Sequence, residues 1–413
     1  MLPEEWRTVP IGSIVDTSQY GLNLAVDPEG TTPIIGMKDM VRGRVENSGW
    51  GAVNLSMAER NRYLLRRGDI LLNRTNSPDL VGKVACWDRD EEAVFPSYIV
   101  RFVLDREQAE PEYVNLFLNT EDGQTRLKQI STRGVSQANI NPTTFRAAFQ
   151  ITLPPLPEQR RITTVLNVWN DAITKAGKLV AAKERLRSQL VATLYRSVID
   201  VEREEEGWAA CRIDDLASVV GGGTPPTGIP AYWNGGIAWC TPTDLTSLKT
   251  RFIALTERTI SEDGLAVSAA SILPAQSVIL CSRASVGACA INTVPMATNQ
   301  GFQSLVPLLS TDTDFLFYMM LAIKKRLTRM AAGSTFLEFG RNNFRGMIIK
   351  APDVAERQRI GRMLAALDDA IASEQGRLVA LERQMRGVMQ LLISGKLRLP
   401  DTIEHLTPLD TAA

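Results

Sequence analysis

The segment LPPLPEQRRI at residues 153–162 recurs as APDVAERQRI at residues 351–360, about 198 positions further along the chain. Shorter matches flank both copies in the same order. They are residues 171–173 with 369–371, Gly134 with Gly333, residues 145–146 with 344–345, residues 70–74 with 279–283, and Trp6, Ile11 and Ile14 with Trp208, Ile213 and Leu216. Self-similarity at a fixed spacing indicates a repeated structural unit. We therefore expect one unit of about 200 residues used twice.

Long helices with a heptad seam are predicted after both copies of this segment. In the second copy, apolar residues advance by alternating steps of four and three, the spacing of a coiled-coil seam. These seam positions are Ile360, Leu364, Leu367, Ile371, Glu374, Leu378, Leu381, Met385, Val388 and Leu392. The first copy gives Ile162, Leu166, Trp169, Ile173, Ala176, Leu179, Leu186, Leu190 and Leu194, with its register disturbed near Gly177.

A helix of about 40 residues is roughly 60 Å long and needs a partner for its apolar seam. The other copy is the nearest candidate. Because duplicated units tend to pair about a two-fold axis, we expect the two helices to pack antiparallel, with one mixed domain at each end of the spacer. The simpler alternative is two ordinary domains, each with its own terminal helix. That alternative leaves unexplained why both seams run past the width of one domain.

The segments outside these helices have the composition of mixed sheets. Residues 1–150 and 208–350 contain short β-prone runs broken by Gly, Pro, Asn and Asp. The predicted fold class is α+β, with two mixed domains separated by two long antiparallel coiled-coil helices. The predicted boundaries are a first domain at 1–152, a first spacer helix at 153–200, a second domain at 201–350, a second spacer helix at 351–399 and a flexible tail at 400–413.

The composition excludes several classes of protein. The 413 residues carry 46 Lys plus Arg against 46 Asp plus Glu, and the single histidine, His405, lies in the polar tail. Catalytic triads and histidine-ligated metal sites are therefore excluded for this chain alone. The five cysteines form no CxxC pair, which favours a reducing cytoplasm over a disulfide framework or a zinc knuckle. No apolar run approaches the roughly 20 residues of a membrane span, and the glycine-rich stretch at 221–226 lacks the lysine of a phosphate-binding loop.

Basic residues recur at the same place in both copies. Residues 126–146 contain four bases and no acid, and residues 324–345 contain six bases and one acid. Neighbouring small polar side chains suit base edges, because Asn and Gln can bond adenine bidentately and Arg can bond guanine. The predicted DNA-facing residues are Arg74, Arg133, Ser136, Gln137, Asn139 and Asn141 in the first copy, and Arg283, Ser334, Thr335, Arg341 and Asn342 in the second.

Structural roles are the alternative for each of these residues. A charged run is often only a solvated face, loop polar residues cap turns, and Arg74 and Arg283 are equally suited to closing their loops. Two basic patches on a long spacer nevertheless match duplex DNA, where major grooves on one face recur about every 34 Å. The sequence thus predicts recognition of two short DNA sequences separated by an unread gap.

The motif LPEQRRI at residues 156–162 leads into a long heptad helix, follows a loop from Gly134 to Phe145, and is duplicated at about 200 residues. In this combination the chain, from Trp6 to about Leu399, resembles the specificity subunit of type I restriction-modification systems. The resemblance implies that each mixed domain is a target recognition domain reading one half of a bipartite site. The second copy has VAERQ in place of LPEQR but keeps the glutamate and Ile360, which implies that helix initiation and docking are retained.

The resemblance also implies the partners. They are double-stranded DNA, two modification subunits that use S-adenosylmethionine to methylate adenine at N6, and two restriction subunits that use ATP and Mg, with no membrane. The residues implied in docking the modification subunits are Glu158, Gln159, Arg160, Glu356 and Arg357. This chain itself would hold no catalytic residue, metal or cofactor, because it has no flipped-adenine motif, methyl-donor loop or Walker lysine.

Two other functions remain open from the sequence alone. One is an enzyme in which one repeat hides a methyltransferase or nuclease site, and the missing motifs argue against it. The other is a protein-interaction scaffold whose domains bind no DNA. Salt-sensitive binding to duplex DNA separates that scaffold from a specificity subunit, because phosphate contacts release counterions.

Overall fold

A computed structural model describes the protein over residues 3–78, 80–134, 137–332 and 338–402, with only the backbone of Arg133. The chain forms two compact units. Unit 1 is Met1–Lys175 together with Leu378–Ala413, and unit 2 is Ala176–Arg377. Both combine mixed sheets with helices, which confirms the predicted α+β class.

Unit 1 is built around a six-stranded mixed sheet. Its strands are β1 (Arg7–Pro10), β2 (Val15–Tyr20), β3 (Thr32–Ile34), β4 (Met40–Val41), β5 (Gly43–Val45), β6 (Gly51–Val53), β7 (Ile70–Asn73), β8 (Thr75–Asn76), β9 (Val84–Cys86), β10 (Ile99–Leu104), β11 (Thr132–Arg133), β12 (Ala138–Asn139) and β13 (Gln150–Leu153). Its shorter helices are α1 (Met57–Tyr63), α2 (Pro111–Leu118), α3 (Glu121–Gln129) and α4 (Pro142–Ala148), with a 3-10 turn at Ile11–Ile14. The main sheet has the order β2-β10-β7-β9-β5-β4, and β1 pairs with β13.

The two long helices begin within the repeated segment, at its fourth residue in both copies. The first is α5 (Leu156–Leu194), with 39 residues, and it is followed by α6 (Arg196–Ile199). The second is α12 (Val354–Ile393), with 40 residues. The predicted helix lengths are therefore confirmed.

Unit 2 repeats the sheet of unit 1 with five strands. Its strands are β14 (Trp208–Arg212), β15 (Ala217–Gly221), β16 (Trp233–Cys240), β17 (Phe252–Ile253), β18 (Arg258–Ile260), β19 (Val278–Leu280), β20 (Cys289–Asn292), β21 (Ala297–Thr298), β22 (Gln303–Pro307) and β23 (Ile348–Pro352). Its helices are α7 (Pro242–Thr246), α8 (Glu262–Ala266), α9 (Thr313–Ala322), α10 (Lys324–Ala331) and α11 (Arg341–Arg345), with 3-10 turns at Ile213–Asp215, Pro230–Tyr232 and Ser310–Asp312. The long helix α12 (Val354–Ile393) begins in unit 2 and ends in unit 1, which starts again at Leu378. The order β15-β22-β19-β20-β17 matches β2-β10-β7-β9-β5, and β14 pairs with β23 as β1 does with β13.

Backbone hydrogen bonds confirm the repeat at the start of each copy. The amide of Ile11 donates to the carbonyl of Phe149 (2.8 Å), and the amide of Ile213 donates to that of Met347 (3.2 Å). Strand β1 pairs Arg7 with Leu153, and β14 pairs Ala209 with Ala351. Trp6 and Trp208 therefore occupy equivalent positions, as the sequence predicted.

The predicted match of residues 70–74 with 279–283 is wrong by one position. Ile140 donates its amide to the carbonyl of Arg74 (2.8 Å), whereas Phe339 donates to that of Ser282 (3.2 Å). Arg74 is therefore equivalent to Ser282, not to Arg283. Both apolar runs end in a polar residue followed by an arginine, so the best sequence alignment places Arg74 on Arg283, one position away from the structural match. A shift of one position turns every strand residue to the other face of the sheet.

The helices pack antiparallel within each unit, as predicted. In unit 1, Ile162 and Leu166 near the start of α5 share a core with Leu392 and Ile393 at the end of α12. In unit 2 the end of α5 meets the first half of α12: Lys183 Nζ lies 3.7 Å from Glu374 Oε1 and Arg187 Nη1 lies 2.7 Å from Asp368 Oδ1. Residue numbers rise along one helix as they fall along the other.

Two positions of the predicted α5 seam, Leu179 and Leu186, are wrong, whereas Leu190 and Leu194 pack against the core of unit 2 as predicted. Leu179 and Leu186 are 42% and 46% exposed. The four-three spacing instead runs on without interruption from Ala176 through Val180, Lys183 and Arg187, and Val180 is buried. The apolar pattern was misleading because two seam positions carry cations that pair with acids of α12, so the leucines beside them imitated a shifted register.

Candidate nucleic-acid interface

Two separated loops of unit 1 meet in a small three-stranded sheet. The order is β11-β12-β8, with Ala138 paired to Asn76 and Asn139 paired to Thr75. The Thr75 hydroxyl donates to Asn139 Oδ1 at 3.3 Å. The sheet thus brings the Arg74 loop next to residues 137–141, which the sequence had singled out separately. We call this group, residues 74–76 and 137–141, the unit 1 loop cluster.

The Arg74 side chain lies over an aromatic ring. Its guanidinium carbon is 5.2 Å from the centre of the Tyr20 ring, and its Nε is buried without a hydrogen-bond partner. Tyr20 itself is half-exposed. Sequence reasoning missed Tyr20, and the signal that could have found it is its position at the end of β2, which β10 alone separates from β7, the strand that leads to the loop cluster.

The remaining predicted residues of unit 1 divide by role. Gln137 and Asn139 are exposed. Asn141 caps α4, because its Oδ1 accepts the amides of Thr143 (2.8 Å) and Thr144 (3.4 Å). Ser136 lies outside the described residues, and Arg133 contributes a backbone position in β11.

In unit 2, two of the predicted residues carry internal contacts. Arg283 forms an antiparallel backbone bridge with Glu338. Arg341 donates from Nε (3.0 Å) and Nη2 (2.6 Å) to the carbonyl of Val219, so its guanidinium ties the start of α11 to β15. Asn342 follows it and is exposed. Ser334 and Thr335 lie outside the described residues.

Several bases of the two predicted basic patches form ion pairs or hydrogen bonds within their own unit. Arg126 pairs with Asp122 (2.5 Å) and Arg345 with Asp214 (3.5 Å). Burial lowers the pKa of Arg326, whose guanidinium donates to the carbonyl of Ile348. Arg341 and Arg345 are exposed but make the contacts given above, and the other exposed bases of the second patch are Lys324, Lys325 and Arg329, all on α10. Helix α10 thus presents a basic face over its buried residues Leu327 and Ala331.

A cation–aromatic cluster in unit 2 was not predicted. The Arg258 guanidinium lies 3.7 Å from the ring centre of Trp233 and 5.3 Å from that of Trp239. The two indoles meet edge to face at 5.0 Å. The signal available in the sequence was the spacing of the two tryptophans in a strand, which puts them on one face.

The predicted docking residue Glu158 is buried, with 2% of its surface exposed. It accepts hydrogen bonds from Trp6 Nε1 (3.1 Å) and from Arg398 Nε (3.0 Å) and Nη2 (2.8 Å). The carboxylate therefore joins the start of α5 to the N-terminal segment and to the residues after α12, all within unit 1.

Gln159 and Arg357 occupy equivalent positions in the repeat, and each anchors its long helix, one through an amide and the other through a guanidinium. Gln159 Nε2 donates to the carbonyl of Pro154 (2.8 Å), and its Oε1 accepts the amide of Glu110 (2.9 Å). Arg357 donates to the carbonyl of Pro352 (3.0 Å) and pairs with the buried Asp312 (2.9 Å). Each side chain fastens its long helix to the residue just before a helix of the sheet domain, Glu110 before α2 in unit 1 and Asp312 before α9 in unit 2.

The other two docking candidates lie closer to the surface. Arg160 is exposed and pairs with Glu110 (2.5 Å). Glu356 is half-exposed, and hydrogen bonds from Arg359 lower the pKa of its carboxyl. Among the five docking residues, these two offer the most accessible charged atoms.

Within the described ranges, no group of three or more His, Cys, Asp or Glu residues is arranged to hold a metal ion. Across the same part of the chain, no helix combines the length and apolar character needed to cross a membrane. All five cysteines are free thiols.

The repeated sheet domains, their long helices and their paired basic segments define a DNA specificity protein. The model of the type I restriction modification DNA specificity domain matches residues 3–183 and again 205–383. The chain therefore belongs to this family, and its two specificity domains are the non-catalytic, sequence-selecting part of such systems. The resemblance stated from the sequence is confirmed.

Three relatives with similar sequences are also specificity subunits of type I restriction enzymes. The type I restriction enzyme MjaIX specificity subunit of Methanocaldococcus jannaschii is 32% identical over 186 residues, 45% of this chain and 43% of that protein. The putative MjaX specificity subunit of the same organism is 20% identical over 96% of this chain and 95% of its own length. The EcoKI specificity subunit of Escherichia coli K12 is 23% identical over 50% of this chain and 48% of that protein.

Solved structures share the fold. The crystal structure of a type I restriction-modification system S subunit from M. genitalium superposes with a TM-score of 0.60 at 15% identity, covering 96% of both chains. A chain from a study of complex assembly and conformational transition in a type I system gives 0.59 at 19% identity, covering 96% of this chain and all of that one. At these identities the likeness concerns the fold.

Proposed function

We propose that the two sheet domains each read one half of a bipartite DNA site, with the boundaries 1–152 and 201–350, and that residues 153–200 and 351–399 form the spacer. The observation that carries this proposal is the unit 1 loop cluster. Exposed Gln137 and Asn139 lie beside Arg74. In unit 2, exposed Asn342 lies in α11, and the exposed bases Lys324, Lys325 and Arg329 lie on α10. Amides with nearby cations combine base-edge recognition with phosphate contacts.

The proposal also names partners. Two modification subunits dock along the long helices, with Arg160 and Glu356 as the accessible charged contacts, and two restriction subunits complete the complex. S-adenosylmethionine belongs to the modification subunits, and ATP and Mg to the restriction subunits. Exposed Leu179 and Leu186 on α5 and Val379 on α12 support helix docking, because apolar side chains that face away from a seam suit burial by a partner. We propose that the protein acts in the cytoplasm, where the DNA is.

The experiment is a genome-wide map of N6-methyladenine in the host, compared with a strain that lacks this gene. Loss of methylation at one split motif, with two specified halves around a fixed gap, is expected. Two variants then assign the halves: Gln137→Ala with Asn139→Ala in unit 1, and Asn342→Ala in unit 2. Each variant is expected to relax one half of the motif and leave the other half unchanged, so each serves as the control for the other.

An unchanged map in the deletion strain leads to a direct test with the purified chain. Salt-dependent binding to duplex DNA would retain the recognition role and show that the methyltransferase partner is silent. Absence of DNA binding at low salt would overturn the proposal in favour of a protein-interaction scaffold.

A further inference from the structure

Five arginines surround a cavity of about 440 Å³ in unit 1 that the predicted interface does not include. The charged side chains of its lining are Arg62, Arg66, Arg67, Arg101, Arg106 and Asp69. The cavity lies at the start of β7, whereas the loop cluster follows the end of that strand. Arg74 follows Asp69 by five positions, roughly 16 Å of extended chain. The two features are therefore distinct places on the unit.

The positive charge of this cavity exceeds the acid available to it. Arg101 reaches Asp69 at 3.3 Å, yet its Nε is buried without a hydrogen-bond partner. Arg67 pairs with the exposed Asp90 at 2.9 Å. Arg62 and Arg66 are exposed and form no ion pair in the described part of the chain. Clustered guanidinium groups repel one another, and an oxyanion between them removes that repulsion.

Unit 2 builds the same backbone without these arginines, although in unit 1 Arg101 also donates to the carbonyls of Leu64 (2.7 Å) and Arg62 (3.1 Å), and Arg106 donates to that of Arg67. Leu65 donates its amide to Ala93 (2.9 Å) as Leu273 donates to Met296 (2.8 Å). Gly68 and Gln276 likewise donate to Trp87 and Asn292, both at 2.8 Å, and both have positive φ, +92° and +68°. The residues of unit 2 that stand at Arg66 and Arg67 are therefore Pro274 and Ala275.

The other side of the cavity gives the same result. Val278 pairs with Leu305 as Ile70 pairs with Phe102, which puts Ser304 at the place of Arg101. Asp105 donates its amide to Ile14 (3.0 Å) as Leu308 donates to Leu216 (2.9 Å), so the next residue, Leu309, stands at the place of Arg106. Four arginines thus belong to one copy of a shared scaffold.

We propose that this cavity binds a phosphate group. Guanidinium groups match phosphate oxygens with paired hydrogen bonds, and several of them converging in a concave site give a phosphate more donors than water-exposed lysines would. Asn61 and Thr17 add neutral polar groups to the lining. The inference goes beyond the proposed function, since the phosphate belongs either to a DNA strand or to a free phosphorylated molecule.

The test compares the full-length chain with Arg62→Ala/Arg66→Ala and with the control Arg383→Ala, which removes an exposed arginine from α12. Calorimetric titration with pyrophosphate measures the free ligand, and duplex DNA titrated at several salt concentrations measures the strand. Arg62 and Arg66 are exposed, so the double variant is expected to keep the thermal midpoint of the parent chain.

Pyrophosphate binding that weakens at least about tenfold in the double variant supports the site and identifies a free phosphate source. Absence of pyrophosphate binding, with a salt slope for DNA reduced by about two in the double variant, supports a DNA strand as the source, because each phosphate contact contributes about 0.9 to that slope. If the double variant binds both ligands as the parent and Arg383→Ala do, the proposal is overturned. The readout is independent of methylation, so it stands apart from the test of DNA sequence recognition.

Discussion

The Arg251 guanidinium of unit 2 lies 2.7 Å from the Asp369 carboxylate of α12, and Arg44 of unit 1 lies 3.3 Å from Asp171 of α5. The two aspartates match in the sequence repeat. Arg251 lies directly before β17 and Arg44 lies within β5, and these strands hold the same place in the two sheets. An arginine from the sheet thus fastens to the same aspartate of the helix in both copies.

Arg251→Met is expected to destabilise the chain more than Arg44→Met. The Arg251 side chain is largely buried, lies 4.4 Å from the Phe252 ring centre and also donates to the carbonyl of Ala365. Its loss should cost about 1–3 kcal/mol. The Arg44 pair is more exposed and should cost less than about 1 kcal/mol. Urea unfolding followed by circular dichroism measures both, and equal costs would contradict the argument from burial.

Arg357→Ala is expected to cost about 3–5 kcal/mol, because it leaves the buried Asp312 carboxylate without its cation. The control is Arg359→Ala, two residues along the same helix. Its partner Glu356 is accessible, so its removal should cost less than about 1 kcal/mol. Thermal unfolding of the two variants decides, and a cost for Arg357→Ala no larger than that for Arg359→Ala would show that the pair adds nothing to stability.

Val180→Glu and Leu179→Glu test which residue belongs to the helix seam. Val180 is buried, so a carboxylate there should cost more than about 3 kcal/mol in the isolated chain. Leu179 is exposed, and its substitution should change the stability by no more than about 0.5 kcal/mol. The opposite order, measured by denaturant midpoint, would restore the seam expected from the leucines.

The free thiols are expected to resist alkylation in the folded protein. Burial raises the pKa of Cys281 and of Cys289 to about 12 and raises the pKa of Cys86, Cys211 and Cys240 as well. The reactive thiolate is therefore scarce at pH 8. Mass spectrometry after iodoacetamide treatment should find little modification in buffer and complete modification in guanidinium chloride. Rapid labelling of Cys281 in buffer would be inconsistent with its buried position.

The sequence was sufficient to predict those features that follow from the spacing of residue types along the chain. Trp6 and Trp208, the starts of both long helices and their antiparallel packing followed from the repeat and from heptad spacing. The loop residues Gln137 and Asn139 are predicted to face DNA from composition, and the structure adds that they lie beside Arg74 because β8 pairs with β12.

Sequence reasoning failed where a residue's role depends on a partner far along the chain. Lys183 and Arg187 could not be recognised as seam residues without Glu374 and Asp368. The equivalence of Gln159 and Arg357 cannot be recognised from the sequence for the same reason. An amide and a guanidinium are chemically different side chains, and only their hydrogen bonds to equivalent carbonyls, those of Pro154 and Pro352, make them alike. The arginine cavity draws its lining from β10, α1 and the loop between α1 and β7, and short segments of this kind carry no joint pattern.

The division of the chain into its two units also sets an order of events during synthesis. Unit 2 is one unbroken stretch, Ala176–Arg377, whereas unit 1 takes its last part from Leu378 onward. Met389, Leu392 and Ile393 belong to the core around Trp6, and Arg398 completes the bonding of Glu158. On a ribosome, the first sheet domain is therefore made first and finished last. The hydrophobic core of this domain stays incomplete until the residues after Leu378 have been translated. Its apolar surface is therefore exposed during the synthesis of about 200 further residues, when it can make non-native contacts.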